Sequence, residues 1–256
     1  MSFYGPPREQ LGEIVSGLKQ VEAVYERNGL TSFMQDNLVA LMRNEHFVKD
    51  PKFVTAVLGS ADGEADASKI WRLHTCCWAA RSALAVDGDF VECGTYKGFY
   101  AGVLTQYLDF GGCGRRFFLY DSFSGLQEGW STEKERRQAN PGYEWDGVYQ
   151  DVTDRFAGFS NVEVVKGIVP DIFDEVLPDN IAFLHLDLNA GEAEIAALDR
   201  LLPHLSDGAM VVLDDFGRLE QQDLCYAHEA WWRAHGHTIL ELPTGQGLVI
   251  FRKDAV

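Results

Sequence analysis

Positive charge is scarce in this chain. Its 22 Lys and Arg residues face 39 Asp and Glu, a formal net charge of −17 over 256 residues. A nucleic-acid binder needs a basic face, and anionic membranes attract polybasic segments, so neither is expected as a partner. Cysteine is sparse and unpatterned: Cys76, Cys77, Cys93, Cys113 and Cys225 are odd in number, scattered, and form no C-x-x-C. Neither a disulfide framework nor a structural zinc site follows, and a reducing, cytoplasmic compartment is expected. No run approaches the roughly eighteen apolar residues of a membrane helix. Met1 to Gln20 carries polar residues throughout and has no signal-peptide core. The apolar fraction of 46% is enough for a proper core, and the length suits one α/β domain with a helical N-terminal extension.

What is present is a series of apolar strands that end in acidic residues. Phe90-Val91-Glu92-Cys93 ends a buried strand, and Gly94 and Gly98 bracket a tight turn into a helix beginning near Phe99. Glycines let a backbone approach a ligand with no Cβ to clash, and Glu92 can accept hydrogen bonds from a cationic ligand. An ordinary strand-to-helix turn explains these residues equally well when they are taken alone. A second strand, Phe117 to Asp121, ends in a carboxylate 29 residues after Glu92. In doubly wound sheets an acidic residue there bonds both ribose hydroxyls of a nucleoside, which suits the two coplanar oxygens of a carboxylate. The alternative is an aspartate that caps the following turn. Ile181–Asp187 and Ala209–Asp215 flank a helix with Ile195, Leu198, Leu201 and Leu202 at helical spacing. A crossover of that kind makes the two strands parallel, which brings Asp187, Asp214 and Asp215 to the edge shared with Glu92 and Asp121. Crowded carboxylates repel, and a hard cation with oxygen ligands such as magnesium would neutralise them. A solvated Asp187 and a helix-capping Asp214–Asp215 pair are the blander alternative.

Taken in order, Val-Glu-Cys-Gly-Thr-Tyr-Lys-Gly from Val91, Leu-Tyr-Asp-Ser-Phe from Leu119, Leu-His-Leu-Asp from Leu184 and Leu-Asp-Asp-Phe-Gly from Leu213 resemble the macrocin O-methyltransferase (TylF-type) family of class I S-adenosylmethionine-dependent methyltransferases. Val165-Lys166-Gly167 and Thr244-Gly245-Gln246-Gly247 extend the match, which runs from about Trp71 to Arg252. The resemblance implies a Rossmann-like α/β fold: a seven-stranded, mostly parallel sheet with helices on both faces and the last strand antiparallel. Residues 71–256 would form the methyltransferase domain, and residues 1–70 a helical lid or dimerisation segment. It also implies that Glu92, Gly94, Thr95, Tyr96, Gly98, Asp121, Ser122 and Gly167 bind S-adenosylmethionine, with adenine beside Gly167. Asp187, Asp214 and Asp215 would hold magnesium, and Asp187 would double as proton acceptor. The implied reaction is O-methylation of a small-molecule hydroxyl, on a sugar or a glycosylated or polyketide natural product, by a homo-oligomer. One departure is that many relatives carry a second acidic residue where this chain has Asn189, whose amide offers a metal less charge. Another is that Ala190 or Gly191 replaces a bulky aromatic. Two other classes remain open at this point. A catalytically silent cofactor-binding scaffold would keep the fold. A nicotinamide oxidoreductase would prefer Gly-x-Gly-x-x-Gly, whereas no glycine follows Gly94 until Gly98.

Elsewhere, Leu11, Ile14, Val15, Leu18, Val21 and Val24 form one helical face that stops at Asn28-Gly29. A second helix is expected over Ser32–Arg43, a loop over Gly59–Glu64, and a helix over Ser68–Val86. Ser124 to Tyr149, with Trp130, Pro141, Tyr143, Trp145 and Tyr149, is long and irregular, and such stretches are commonly functional. It reads as a mobile lid whose aromatics stack on the acceptor, with Glu133–Arg137 as a solvated helical turn. Asp151–Asp154 reads as a helix cap before a strand at Val162–Val165. A helix over Leu219–His235 and strands over Thr238–Leu242 and Gly247–Arg252 complete the pattern. His185 reads as a packed strand residue rather than a catalytic one.

Overall fold

The computed structural model describes residues 3–5, 7–139 and 147–254. The acid-terminated apolar runs become strands β3 (Asp89–Cys93), β4 (Phe117–Asp121), β6 (Ile181–Leu186) and β7 (Leu205–Leu213), joined by β5 (Val162–Lys166), β8 (Leu240–Glu241) and β9 (Gly247–Ile250). They form one seven-stranded sheet in the order β5-β4-β3-β6-β7-β9-β8. β3 to β7 run parallel, and β9 alone is reversed against its neighbours. The predicted Rossmann-like architecture is therefore present. β7 starts earlier than Ala209 because Ser206-Asp207-Gly208 joins the strand where the register against β6 shifts.

Side chains alternate between the two faces of a strand, and each face is roofed separately. Phe90, Phe117, Leu119, Phe183, Met210 and Val212 point to one side, under α2 (Pro51–Ser60), α4 (Ile70–Ala83), α5 (Phe99–Tyr107) and α7 (Val148–Phe156). Val91, Phe118, Tyr120, Leu184, Val211 and Val249 point to the other, under α8 (Gly191–Leu201) and α9 (Gln222–Ala234). Residues buried on both faces explain why these strands read as continuous apolar runs. Cys93, Leu186 and Leu213 end their strands in register, so the residues that follow them meet at one edge. Among the described residues no helix is long and apolar enough to cross a membrane.

The N-terminal part departs most from expectation. α1 (Arg8–Arg27) forms as predicted, but Ser32–Arg43 is not a helix. It is a hairpin of β1 (Ser32–Gln35) and β2 (Leu38–Leu41). Asp36 and Asn37 sit at φ 53° and 57°, the left-handed pair that a two-residue hairpin turn requires. α2 was not predicted, although its signals are present. Asp50 caps it, accepting from the amides of Lys52 (2.9 Å) and Phe53 (3.5 Å), and Pro51 occupies its first turn. Its Phe53, Ala56 and Val57 enter the sheet's own core. Asp151–Asp154 is no cap: it lies inside α7, whose inward face is Val148, Val152 and Phe156.

Candidate active site

A cavity opens beyond the ends of β3, β4 and β6. Gly94, Thr95 and Tyr96 wall one side of it, Asp121, Ser122 and Phe123 another, and Asp187, Leu188 and Asn189 a third. Gly94 is needed here. Its φ is +92°, and a Cβ would lie 1.9 Å from the Asp187 carbonyl oxygen. Gly98 is placed differently from Gly94. It sits at φ +73° at the start of α5, behind the wall, where a Cβ would meet the Phe156 ring at 2.7 Å. Gly167 likewise packs on Ile172, which a Cβ would approach to 2.5 Å, while Ile168 and Val169 supply the wall there.

The Asp121 carboxylate is held by both turns it separates. One oxygen accepts from the Tyr96 amide and the other from the Phe123 amide, each at 2.7 Å. Burial pushes its pKa up, against the pull of those amides. Ser122 Oγ donates to the Gly125 carbonyl at 2.9 Å and accepts from the Ser124 amide, which fixes the turn. Glu92 is 1% exposed. It stands opposite His185 in the parallel register, so both side chains share a face, and His185 Nδ1 lies 2.9 Å from Glu92 Oε1. Glu92 Oε2 finds no well-formed hydrogen-bond partner among the described residues. Burial works against charge on His185, but Cys76, Asp214 and Glu92 together hold its pKa well above the ordinary value. It is a buried network residue, in line with the reading of the sequence.

Asp187 faces the cavity and accepts from Asn189 Nδ2 at 3.0 Å. Burial, then the nearby Asp214 and Asp215, raise its pKa well above that of an ordinary aspartate. Asp214 and Asp215 face elsewhere. Asp214 Oδ2 accepts from Arg72 Nη1 at 2.6 Å and its Oδ1 accepts from Gln246 Nε2 at 2.9 Å. Asp215 Oδ1 accepts from Arg218 Nη1 at 2.8 Å and Arg72 Nη1 at 3.3 Å, and its Oδ2 accepts from Gln221 Nε2 at 3.2 Å. Burial opposes ionisation of Asp214, yet Arg72 and His185 hold its pKa well below the usual range.

A magnesium ion on Asp187, Asp214 and Asp215 does not fit this arrangement. The charge that seemed to call for a metal is met by two guanidinium groups, and the oxygens of Asp214 and Asp215 are engaged. Asn189 turns its amide nitrogen, not its oxygen, toward Asp187, and its oxygen accepts from Gln221. Among the described residues, the donor atoms that come within 4.8 Å of one another belong to Cys76, His185 and Asp214 instead. Gln246 Nε2 already donates toward two of these, Asp214 and Cys76. A nucleoside with a charged amino-acid tail fits the cavity, which offers it Asp121, Glu92 and the apolar Ile168 and Val169.

Arg72 and Gln246 escaped the sequence reading in different ways. Gln246 stood in a recognised motif without a role. Arg72 lies in a predicted helix with nothing beside it in the sequence to mark it. The region after Ser122 lies around the cavity in its described part: Gln127 and Trp130 line it, and Trp130 Nε1 donates to Asp171 at 3.2 Å. Tyr149 packs on Phe123 instead, with ring centroids 5.2 Å apart. Pro141, Tyr143 and Trp145 lie outside the described residues. α6 (Glu133–Gln138) opens on a capping box of Thr132 and Glu135. Glu135 also accepts from the Gly191 amide at 2.9 Å, which ties this segment to the start of α8. Glu135→Ala removes both links and is expected to cost about 1 kcal/mol in urea unfolding, with cofactor affinity unchanged. An unaltered urea midpoint would show that the tether carries no weight.

The sequence profile of the family described as Macrocin-O-methyltransferase (TylF) matches residues 64–238. The Streptomyces olivaceus 8-demethyl-8-(2,3-dimethoxy-alpha-L-rhamnosyl)-tetracenomycin-C 4'-O-methyltransferase is 29% identical over 163 residues, 57% of this chain. The match spans 60% of that relative's length. Among solved structures, the O-methyltransferase NovP aligns with a TM-score of 0.59 at 19% identity, over 72% of this chain and 81% of its own. Calicheamicin methyltransferase CalS11 aligns at 0.57 and 16%, over 82% and 93%. These two likenesses establish a shared fold.

Proposed function

The chain belongs to the macrocin O-methyltransferase (TylF) family, and we propose that it methylates a hydroxyl group of a small molecule with S-adenosylmethionine as donor. The observation that carries this reading is the cavity at the strand ends, where the amide-anchored Asp121 and the elevated Asp187 face one space. Asp121 would accept the two ribose hydroxyls. Glu92 would accept from the amino group, directly or through water. The turn of Gly94, Thr95 and Tyr96 would follow the backbone of the ligand, and Ile168 and Val169 would cover a flat ring. When bound, S-adenosylmethionine supplies an electrophilic methyl group on a sulfonium centre.

The protein's own part is to hold the acceptor in line and to take its proton. Alignment can contribute several kcal/mol to the rate. Asp187 is a carboxylate at the cavity, and burial with its acidic neighbours raises its pKa, so that in its ionised form it is a stronger base than an ordinary aspartate. Asn189 orients it through the 3.0 Å contact. The acceptor we favour is a sugar on a glycosylated natural product, supported by the name of the Streptomyces olivaceus relative. We also expect a cytoplasmic homo-oligomer. Ile14, Val21 and Val24 of α1 are solvent-exposed apolar side chains that self-association would cover.

The test is mass spectrometry of glycosylated polyketides incubated with the protein and S-adenosylmethionine. A gain of one methyl group on the sugar is expected. Asp187→Asn should lower kcat by about 100-fold or more while the S-adenosylhomocysteine Kd stays within about threefold. Failure of the wild-type chain to bind S-adenosylhomocysteine would end this reading.

A further inference from the structure

Arg72 rises from the first turn of α4 into the carboxylates that follow β7 and is 4% exposed. Its Nη1 lies 2.6 Å from Asp214 and 3.3 Å from Asp215. Its Nε lies 2.8 Å from Asp36 in the hairpin turn. Its Nη2 donates to the Tyr4 hydroxyl at 3.0 Å. Tyr4 in turn donates to Asp36 at 3.0 Å and carries the Arg218 guanidinium over its ring at 4.6 Å. Asp36, Asp214 and Asp215 are all buried. Three acidic groups are thus gathered around one guanidinium, with Arg218 on Asp215 and the His185 ring 3.6 Å from Asp214. Burial works against charge on Arg72, but Asp214, Tyr100, Asp215 and Asp36 hold it firmly protonated.

We propose that Arg72 is the resident cation of the Asp214–Asp215 pair. The chain carries a guanidinium where a divalent metal would otherwise balance these carboxylates, and it folds and binds its cofactor without one. A metal entering here would have to expel a buried arginine and leave it unpaired, which is strongly unfavourable. Asn189 agrees with this assignment. A further carboxylate at that position would add charge that the existing cations do not match, whereas the amide donates to Asp187 and accepts from Gln221. Through Arg72, Tyr4 and Asp36 also bring the N-terminal segment to these carboxylates. This assignment concerns the acidic cluster and holds whether or not S-adenosylmethionine is the donor.

The probe is magnesium chloride alone, titrated into the EDTA-treated full chain by calorimetry, with melting curves in EDTA and in magnesium. The wild type is expected to give no saturable one-site heat and the same Tm in both buffers. A saturable magnesium heat, or a Tm that rises with magnesium, overturns the proposal. Arg72→Met leaves three buried carboxylates short of a cation, so its Tm should fall in EDTA and recover in part with magnesium. An unchanged Tm for this variant in EDTA also overturns it. If Arg72→Met does not fold, the wild-type titration still decides, because it needs no variant. The S-adenosylhomocysteine Kd of the wild type should agree within threefold in the two buffers, and a larger shift counts against the proposal. Absence of S-adenosylhomocysteine binding in both buffers strikes the methyltransferase reading and leaves the role of Arg72 standing.

Discussion

Asp121→Ala is expected to weaken S-adenosylhomocysteine binding by about 100-fold. Hydrogen bonds to a charged group contribute about 1.5–3 kcal/mol each, and a ribose diol would make two of them. The substitution also takes an acceptor from the amides of Tyr96 and Phe123. Both residues sit in the left-handed region, at φ 48° and 52°, and the carboxylate is what anchors them there. The two turns that wall the cavity should therefore loosen together. Asp121→Asn keeps one acceptor oxygen and should lose about tenfold, since its amide nitrogen must face a donor it cannot bond. Calorimetry of the three proteins decides the matter. A Kd for Asp121→Ala within threefold of wild type would remove Asp121 from the binding site and, with it, the ribose assignment of β4.

The parts of this protein that were legible in the sequence are those set by local pattern. Continuous apolar runs ending in Glu92, Asp121, Asp187 and Asp214 mark parallel strands buried on both faces, and parallel strands must place their ends on one edge. The hairpin was misread because Phe33, Met34, Leu38 and Leu41 satisfy a helical spacing as easily as an alternating one. The better signal was Asp36-Asn37, a pair that tolerates the left-handed turn. The pairing of Arg72 with Asp214 spans 142 residues, and nothing near Arg72 announces it. Packing adds a second demand at two motif glycines. Phe156 and Ile172 leave no room for a Cβ at Gly98 and Gly167, so packing against neighbours demands glycine at both positions, which the motif alone does not show. Charge counting finds the crowded carboxylates but does not distinguish their counter-ion, because an arginine on a helix and a metal in solution answer the same electrostatic need.

Gly94→Ala separates the two glycine roles. Its methyl group would fall 1.9 Å from the Asp187 carbonyl oxygen, a backbone atom that no rotamer change can move. The Asp187 amide also donates to the Cys93 carbonyl at 2.8 Å, so relief requires prising apart the ends of β3 and β6, and those ends carry the cavity. Overpacking of this kind costs about 1–3 kcal/mol, and the φ of +92° adds about 1–3 kcal/mol of backbone strain for an L-residue. A loss of about 4 kcal/mol lowers Tm by about 10 °C in a domain of this size. Cofactor binding should be lost as well, because Asp187 and the Gly94 turn move relative to each other. Gly98→Ala is the comparison. Its methyl group meets the edge of the Phe156 ring at 2.7 Å, and a ring can tilt. Its φ of +73° lies nearer the left-handed basin that other residues can occupy. Gly98→Ala should therefore cost about 1–2 kcal/mol and leave the S-adenosylhomocysteine Kd within a few-fold. Equal losses of binding in both variants would mean that Gly98 touches the ligand after all, and that the turn acts as one loop and not as a ligand contact with a packing contact behind it.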